Sequence, residues 1–129
     1  MIYGIGTDIV RVARMRESLE RHGDKFARRI LTPDEFEDFQ HASRPAHFLA
    51  KRFAAKEAAA KAFGTGFSAG LYPRQIGVTH DAHGKPMLIY LEHAAELCRS
   101  LEISTSYISI ADEDDHAVAF VVLQTAVPV

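Results

Sequence analysis

FLAKRFAAKEAAAKAFGTG, residues 48–66, is the stretch from which the rest of the chain can be read. At 3.6 residues per turn, Leu49, Phe53, Ala60 and Phe63 share one stripe, with Glu57 and Lys61 together along its flank. Alanine fills most other positions, at Ala54, Ala55, Ala58, Ala59 and Ala62. A helix coated in methyl groups lets neighbouring backbones come close, so its middle is expected to be buried on more than one side. Glu followed by Lys at i+4 is a common stabilising pair on exposed helices, worth roughly 0.2–0.5 kcal/mol. Here, however, no polar face surrounds the pair, so its charges call for another explanation. Gly64 is placed to end the helix as its C′ residue. Thr65 and Gly66 then continue a flexible backbone beside Lys61 where a phosphate could lie.

At 129 residues, 47% hydrophobic and 25% charged, the chain suits one compact domain over residues 1–129. A net charge of −2 argues against general binding to nucleic acid or anionic membranes. The sum hides a local patch, because Arg11 to Arg29 holds seven Lys or Arg against three Asp or Glu, a local +4 that leaves −6 elsewhere. With few aromatic residues for stacking on bases, this segment is a poor nucleic-acid surface. The single cysteine, Cys98, excludes an intrachain disulfide and reads as a packing residue in an amphipathic helix. The opening MIYGIGTDIV is too short and too glycine-broken for a signal peptide, and no apolar run approaches the roughly 20 residues that span a bilayer. A reducing, cytoplasmic location is expected.

Residues 2–10 read as an Ile/Val-rich strand in which Gly4 and Gly6 leave room for something to approach. Asp8 near its end is either a cap for the next helix or a ligand, since a carboxylate among apolar residues is costly unless paired or bound to a cation. Val12, Met15 and Leu19 then mark a helix with its arginines left for solvent. Thr32-Pro33-Asp34-Glu35 is a helix start with an N-cap Thr, Pro at N1 and Glu completing a capping box, which gives its acidic residues a structural role. Ser43 and Pro45 open the long helix, and 67–74 reads as loop. Strands at about 75–80 and 86–91 flank a hairpin turn, and a helix from Glu92 to Leu101 precedes strands 104–111 and 117–125. His80 and His83 lack the Cys or second paired motif of a zinc site. The order β-ααα-ββ-α-ββ predicts an α+β fold with an antiparallel sheet packed against helices. AVAFVVL, 117–123, is apolar at every position, which calls for cover on both sides and points to another copy of the chain.

GIGTDIV at 4–10, RFAAKEAAAKAFGTG at 52–66 and GKP at 84–86, at these separations, resemble the bacterial holo-[acyl-carrier-protein] synthases, the small 4′-phosphopantetheinyl transferases. The resemblance runs from residue 1 to about 125. It implies transfer of phosphopantetheine from coenzyme A to a serine of acyl carrier protein, releasing adenosine 3′,5′-bisphosphate and requiring Mg²⁺. By the same resemblance Asp8 and Glu57 are the magnesium ligands, Glu57 takes the serine proton directly or through a water, and Lys61 partners the transferring phosphate. Coenzyme A would lie in a cleft between subunits of a homotrimer, with Arg52, Gly64, Thr65, Gly66 and Lys85 as phosphate contacts. The acidic helix of the carrier protein would dock on Arg14 and Arg21, helped by Arg11, Arg28 or Arg29. Some members carry a His after the Ser of the penultimate strand, where this chain reads Ile110-Ala111-Asp112, so no role is expected for such a group here. The alternative is a non-catalytic trimeric nucleotide-binding module of the same fold, which would not need Asp8, Glu57 and Lys61 together.

Overall fold

The computed structural model describes residues 1–126. The chain runs β1 (Ile2–Arg11), α1 (Val12–His22), α2 (Asp24–Ile30), α3 (Pro33–Gln40), α4 (Pro45–Phe63), a single 3-10 turn (Pro73–Gln75), β2 (Ile76–His80), β3 (Pro86–Tyr90), α5 (Glu92–Ser100), β4 (Ile103–Asp112) and β5 (His116–Thr125). The architecture is α+β with antiparallel pairing throughout, in two sheets: β1-β5-β4 and the hairpin β2-β3.

Four helices, rather than the expected three, separate β1 from β2. The additional break is at Gly23, whose φ of 61° ends α1 before α2 begins. Thr32 caps α3 with the full capping box, its hydroxyl accepting from the Glu35 N–H and the Glu35 carboxylate accepting from the Thr32 N–H.

Helix α4 is the centre of the molecule. Leu49, Ala50, Ala54, Ala55, Ala58, Ala59 and Ala60 are fully buried, and Phe63 nearly so. One side of the helix lies on β1 at unusually short range. A Cβ on Gly4 would run into the carbonyl oxygen of Ala62, and one on Gly6 into that of Ala58. Glycine on the strand and alanine on the helix are therefore one device that brings two backbones together.

β5 buries every second residue, Ala117, Ala119, Val121 and Leu123, towards α4. Its other face is open. Register aligns Ile5, Val122 and Tyr107 in one outward row and Ile9, Val118 and Ala111 in another, with Phe120 between them. Ile9 is 65% exposed, Ile5 59%, Tyr107 51% and Phe120 44%. The all-apolar pattern of 117–123 thus has one face covered within the chain and one bare in the single chain.

Candidate active site

The inward face of β1 that carries Gly4 and Gly6 also carries Asp8, so the close strand–helix approach sets Asp8 beside the last two turns of α4. Lys61 Nζ donates to Asp8 Oδ1 at 3.0 Å and to the Thr7 carbonyl at 3.1 Å. Glu57, one turn earlier, is half-buried on the same flank. Its pKa is raised above the usual carboxylate value of 4.5, first by desolvation and then by the negative charge of Asp8, while Lys61 and Arg14 oppose the rise. Two carboxylates, Glu57 and an Asp8 still 18% exposed, thus share one flank with a single ammonium, an arrangement suited to a cation.

The donor set fits magnesium. Among the described residues no group of three or more His, Cys, Asp or Glu gathers to cage a metal. Mg²⁺ does not need such a cage, since it keeps several waters and is held by one or two carboxylates together with substrate phosphates.

The α4 terminus adds an open rim. Gly64, at φ 87°, closes the helix by returning its N–H to the Lys61 carbonyl, and Gly66 N–H reaches the Ala60 carbonyl at 3.1 Å. Thr65 turns its hydroxyl onto the Gly66 carbonyl at 2.9 Å. Both glycines face open space. Arg14 of α1 lies over the Phe53 ring, 5.4 Å from its centroid, near enough to influence Glu57. Arg21 is exposed in the last turn of the same helix.

Arg52 is elsewhere. It precedes Lys61 by nine residues, about two and a half turns, which puts it on the opposite side of α4. Arg52 is nearly buried, donates to the Val78 carbonyl at 3.3 Å and rests 4.4 Å from the Phe48 ring centroid. With Lys51, His80, Gly84, Pro86 and Asp112 it borders a separate cleft. Lys85 sits between Gly84 and Pro86 in the β2-β3 turn, where Asp81 Oδ1 accepts its backbone N–H at 3.0 Å. Beside this cleft, burial and then the charges of Arg52 and Lys51 push His80 below its ordinary pKa, against Asp38 and Asp81. Cys98 is half-buried, and burial pushes its thiol up to about 11, so it holds no thiolate at neutral pH.

Sequence reasoning missed one group altogether. Lys56, next to Glu57, is completely buried; its Nζ donates to Glu35 Oε1 at 2.6 Å, to the Pro73 carbonyl at 3.0 Å and to the Ile76 carbonyl. Burial lowers its pKa while Glu35 opposes that.

Comparison with known proteins places nearly the whole chain in a family. Residues 4–121 match the family model of the 4′-phosphopantetheinyl transferase superfamily. The chain is 58% identical to a holo-[acyl-carrier-protein] synthase of Nitrosococcus oceani, over 95% of this chain and 80% of that one. It is 53% identical to that of Halorhodospira halophila, over 97% and 99%. Among solved structures, the holo-[acyl-carrier-protein] synthase of Neisseria meningitidis superposes with a TM-score of 0.92 at 47% identity, covering 97% of this chain and all of that one. The Bacillus anthracis enzyme in complex with coenzyme A (3′,5′-ADP) gives 0.81 at 39%, covering 98% and 99%. The chain belongs to the 4′-phosphopantetheinyl transferase superfamily. Within it, the chain is an enzyme of the holo-[acyl-carrier-protein] synthase group.

Proposed function

We propose that residues 1–129 act as one domain that moves the 4′-phosphopantetheine of coenzyme A onto a serine of apo acyl carrier protein, releasing adenosine 3′,5′-bisphosphate. The observation that carries this reading is the meeting of Asp8, Glu57 and Lys61 at one partly exposed point, with Lys61 Nζ 3.0 Å from Asp8. Coenzyme A offers a diphosphate, and a diphosphate needs both a cation to neutralise it and a donor on its non-bridging oxygens. Asp8 and Glu57 would hold Mg²⁺, which when bound supplies Lewis-acid neutralisation of that diphosphate. Glu57, with its raised proton affinity, is placed to accept the serine proton, directly or through a water. Lys61 would turn one of its donors onto the phosphoryl or leaving oxygen as charge builds there.

Because Arg52 and Lys61 face opposite sides of α4, one coenzyme A molecule reaching both needs two copies of the chain. The bare apolar face of the β1-β5-β4 sheet supplies a surface for such an assembly. A homotrimer in which Arg52 and Lys85 of one copy meet the Gly64-Thr65-Gly66 rim of the next satisfies both observations. Transfer is tested by mass spectrometry of apo carrier protein incubated with enzyme, coenzyme A and Mg²⁺. A covalent phosphopantetheine adduct is expected, and its absence overturns the reading. Sedimentation equilibrium tests the assembly, with three copies expected.

A further inference from the structure

We infer that Glu35 is a positioning residue for coenzyme A, holding the Arg52 guanidinium at the wall of its cleft while Lys56 takes up the Glu35 charge. The inference rests on the reading of Arg52 as a phosphate contact and goes beyond it.

Glu35 is 2% exposed, and a capping box alone accounts for little of what it does. Its Oε1 accepts from the Thr32 N–H at 2.9 Å, which completes the cap, and also from Lys56 Nζ at 2.6 Å. Its Oε2 accepts from the Val78 N–H at 2.8 Å and lies 3.7 Å from Arg52 Nη1. Val78 is engaged from both sides, since its carbonyl receives Arg52 Nη1 at 3.3 Å. One carboxylate thus ties α3, α4 and β2 together at the point where the guanidinium leaves the core.

The charges explain the geometry. Two cations share one anion, and the enclosed ammonium of Lys56 is much the nearer. A carboxylate placed to neutralise an arginine adopts a bidentate contact near 2.8 Å. Glu35 does not, so the Arg52 charge is left for the cleft, where Lys51 adds to it and Asp112 opposes. The Phe48 ring and the Val78 carbonyl fix the orientation of the guanidinium, so little rotamer freedom remains to be lost when a phosphate arrives.

The test is steady-state kinetics of Glu35→Gln, Arg52→Ala and the two combined, varying coenzyme A and carrier protein in turn. Each single variant is expected to raise KM for coenzyme A by about tenfold, more than it lowers kcat and without a matching rise for carrier protein. The combined variant should be no worse than Arg52→Ala alone, because Glu35 acts through Arg52. A purely structural Glu35 would lower the melting temperature and the active fraction but leave KM unmoved. Glu35→Gln strands the Lys56 ammonium, so Glu35→Gln with Lys56→Met, which removes both charges, keeps the comparison on a folded protein; the same raised KM is expected. An unchanged or lowered KM in the Glu35 variants, or full additivity with Arg52→Ala, overturns the inference while leaving Arg52 in place. An unchanged KM in Arg52→Ala removes the reading of Arg52 as a phosphate contact, and the inference with it.

Discussion

Lys61 on the last turn of α4 reaches Asp8 on β1 at 3.0 Å, joining residues 53 positions apart in the chain. On an isolated helix Lys61 would have paired with Glu57. In the folded protein it bridges to the strand instead and leaves Glu57 with a raised proton affinity. The arrangement brings two carboxylates and one ammonium together, the charges that the proposed Mg²⁺ and phosphate would engage.

Asp8→Ala and Glu57→Ala are expected to lower turnover at least about a hundredfold, the scale on which groups organising charge at a reaction centre act. Both side chains are partly exposed, so folding should survive. Titration with Mg²⁺ should show partial rescue of at least one variant at elevated metal, and wild-type turnover at ordinary Mg²⁺ would remove the assignment. Lys61→Ala should lower kcat more than it raises KM for coenzyme A if Lys61 acts on the transition state.

Glu57 also makes a prediction about pH. Its folded pKa lies above the unfolded value of 4.5, so between the two the folded protein binds more protons than the unfolded chain. Stability linked to Glu57 is therefore fully present below about pH 4.5 and is lost as pH rises through the folded pKa. In metal-free protein, Glu57→Gln should melt higher relative to wild type at pH 7 than at pH 4. Added Mg²⁺ should raise the wild-type melting temperature at pH 7 and leave that of the variant nearly unmoved. Equal pH profiles for the two proteins would show that Glu57 is not held in a desolvated site beside the Asp8 charge.

How far the sequence carries the reader depends on the distance over which each signal acts. The Thr32 capping box, the hairpin turn and the end of α4 at Gly64 are local, and the structure has all three. Gly4 and Gly6 announced a close approach without naming what approaches, which is the α4 backbone. Lys56 was illegible because its partner Glu35 is 21 residues away and already explained by its cap. The family resemblance likewise took Arg52 and Lys61 from one motif, 52–66, whereas the helix turns them to opposite sides. The division into two sheets follows from long-range pairing, which no local pattern encodes.

Gly6→Ala tests the close approach itself. The added methyl meets the Ala58 carbonyl and the Ala62 nitrogen, which are backbone atoms and cannot rotate away. Strand and helix must separate, at a cost on the order of 3 kcal/mol or more, judged by overpacked cores. Thermal melting should show that loss, and where folded protein is recovered the Mg²⁺ dependence should shift to higher concentration because Asp8 has moved from Glu57. A Gly6→Ala variant with wild-type melting and metal dependence would contradict the packing of β1 on α4.

The remaining prediction concerns the carrier protein, whose acidic helix is proposed to dock on Arg14 and Arg21. Neither guanidinium lies within ion-pair distance of a carboxylate among the described residues, so both charges are free to meet a partner. Rim charges chiefly raise the association rate and are screened as the Debye length falls to about 8 Å at 0.15 M salt. Arg21→Glu should therefore raise KM for carrier protein at low salt, less so at high salt, with KM for coenzyme A unchanged. Arg14 differs, because it also bears on Glu57, and its loss removes one of the two positive charges that hold the Glu57 pKa down. Arg14→Glu should raise the same KM and in addition shift the acid limb of the kcat profile to higher pH, a change that Arg21→Glu does not share. Steady-state kinetics of both variants at two salt concentrations and across pH 5–8 read all of these effects. If both keep the wild-type KM for carrier protein at low salt, these arginines form an ordinary solvated face and the partner docks elsewhere.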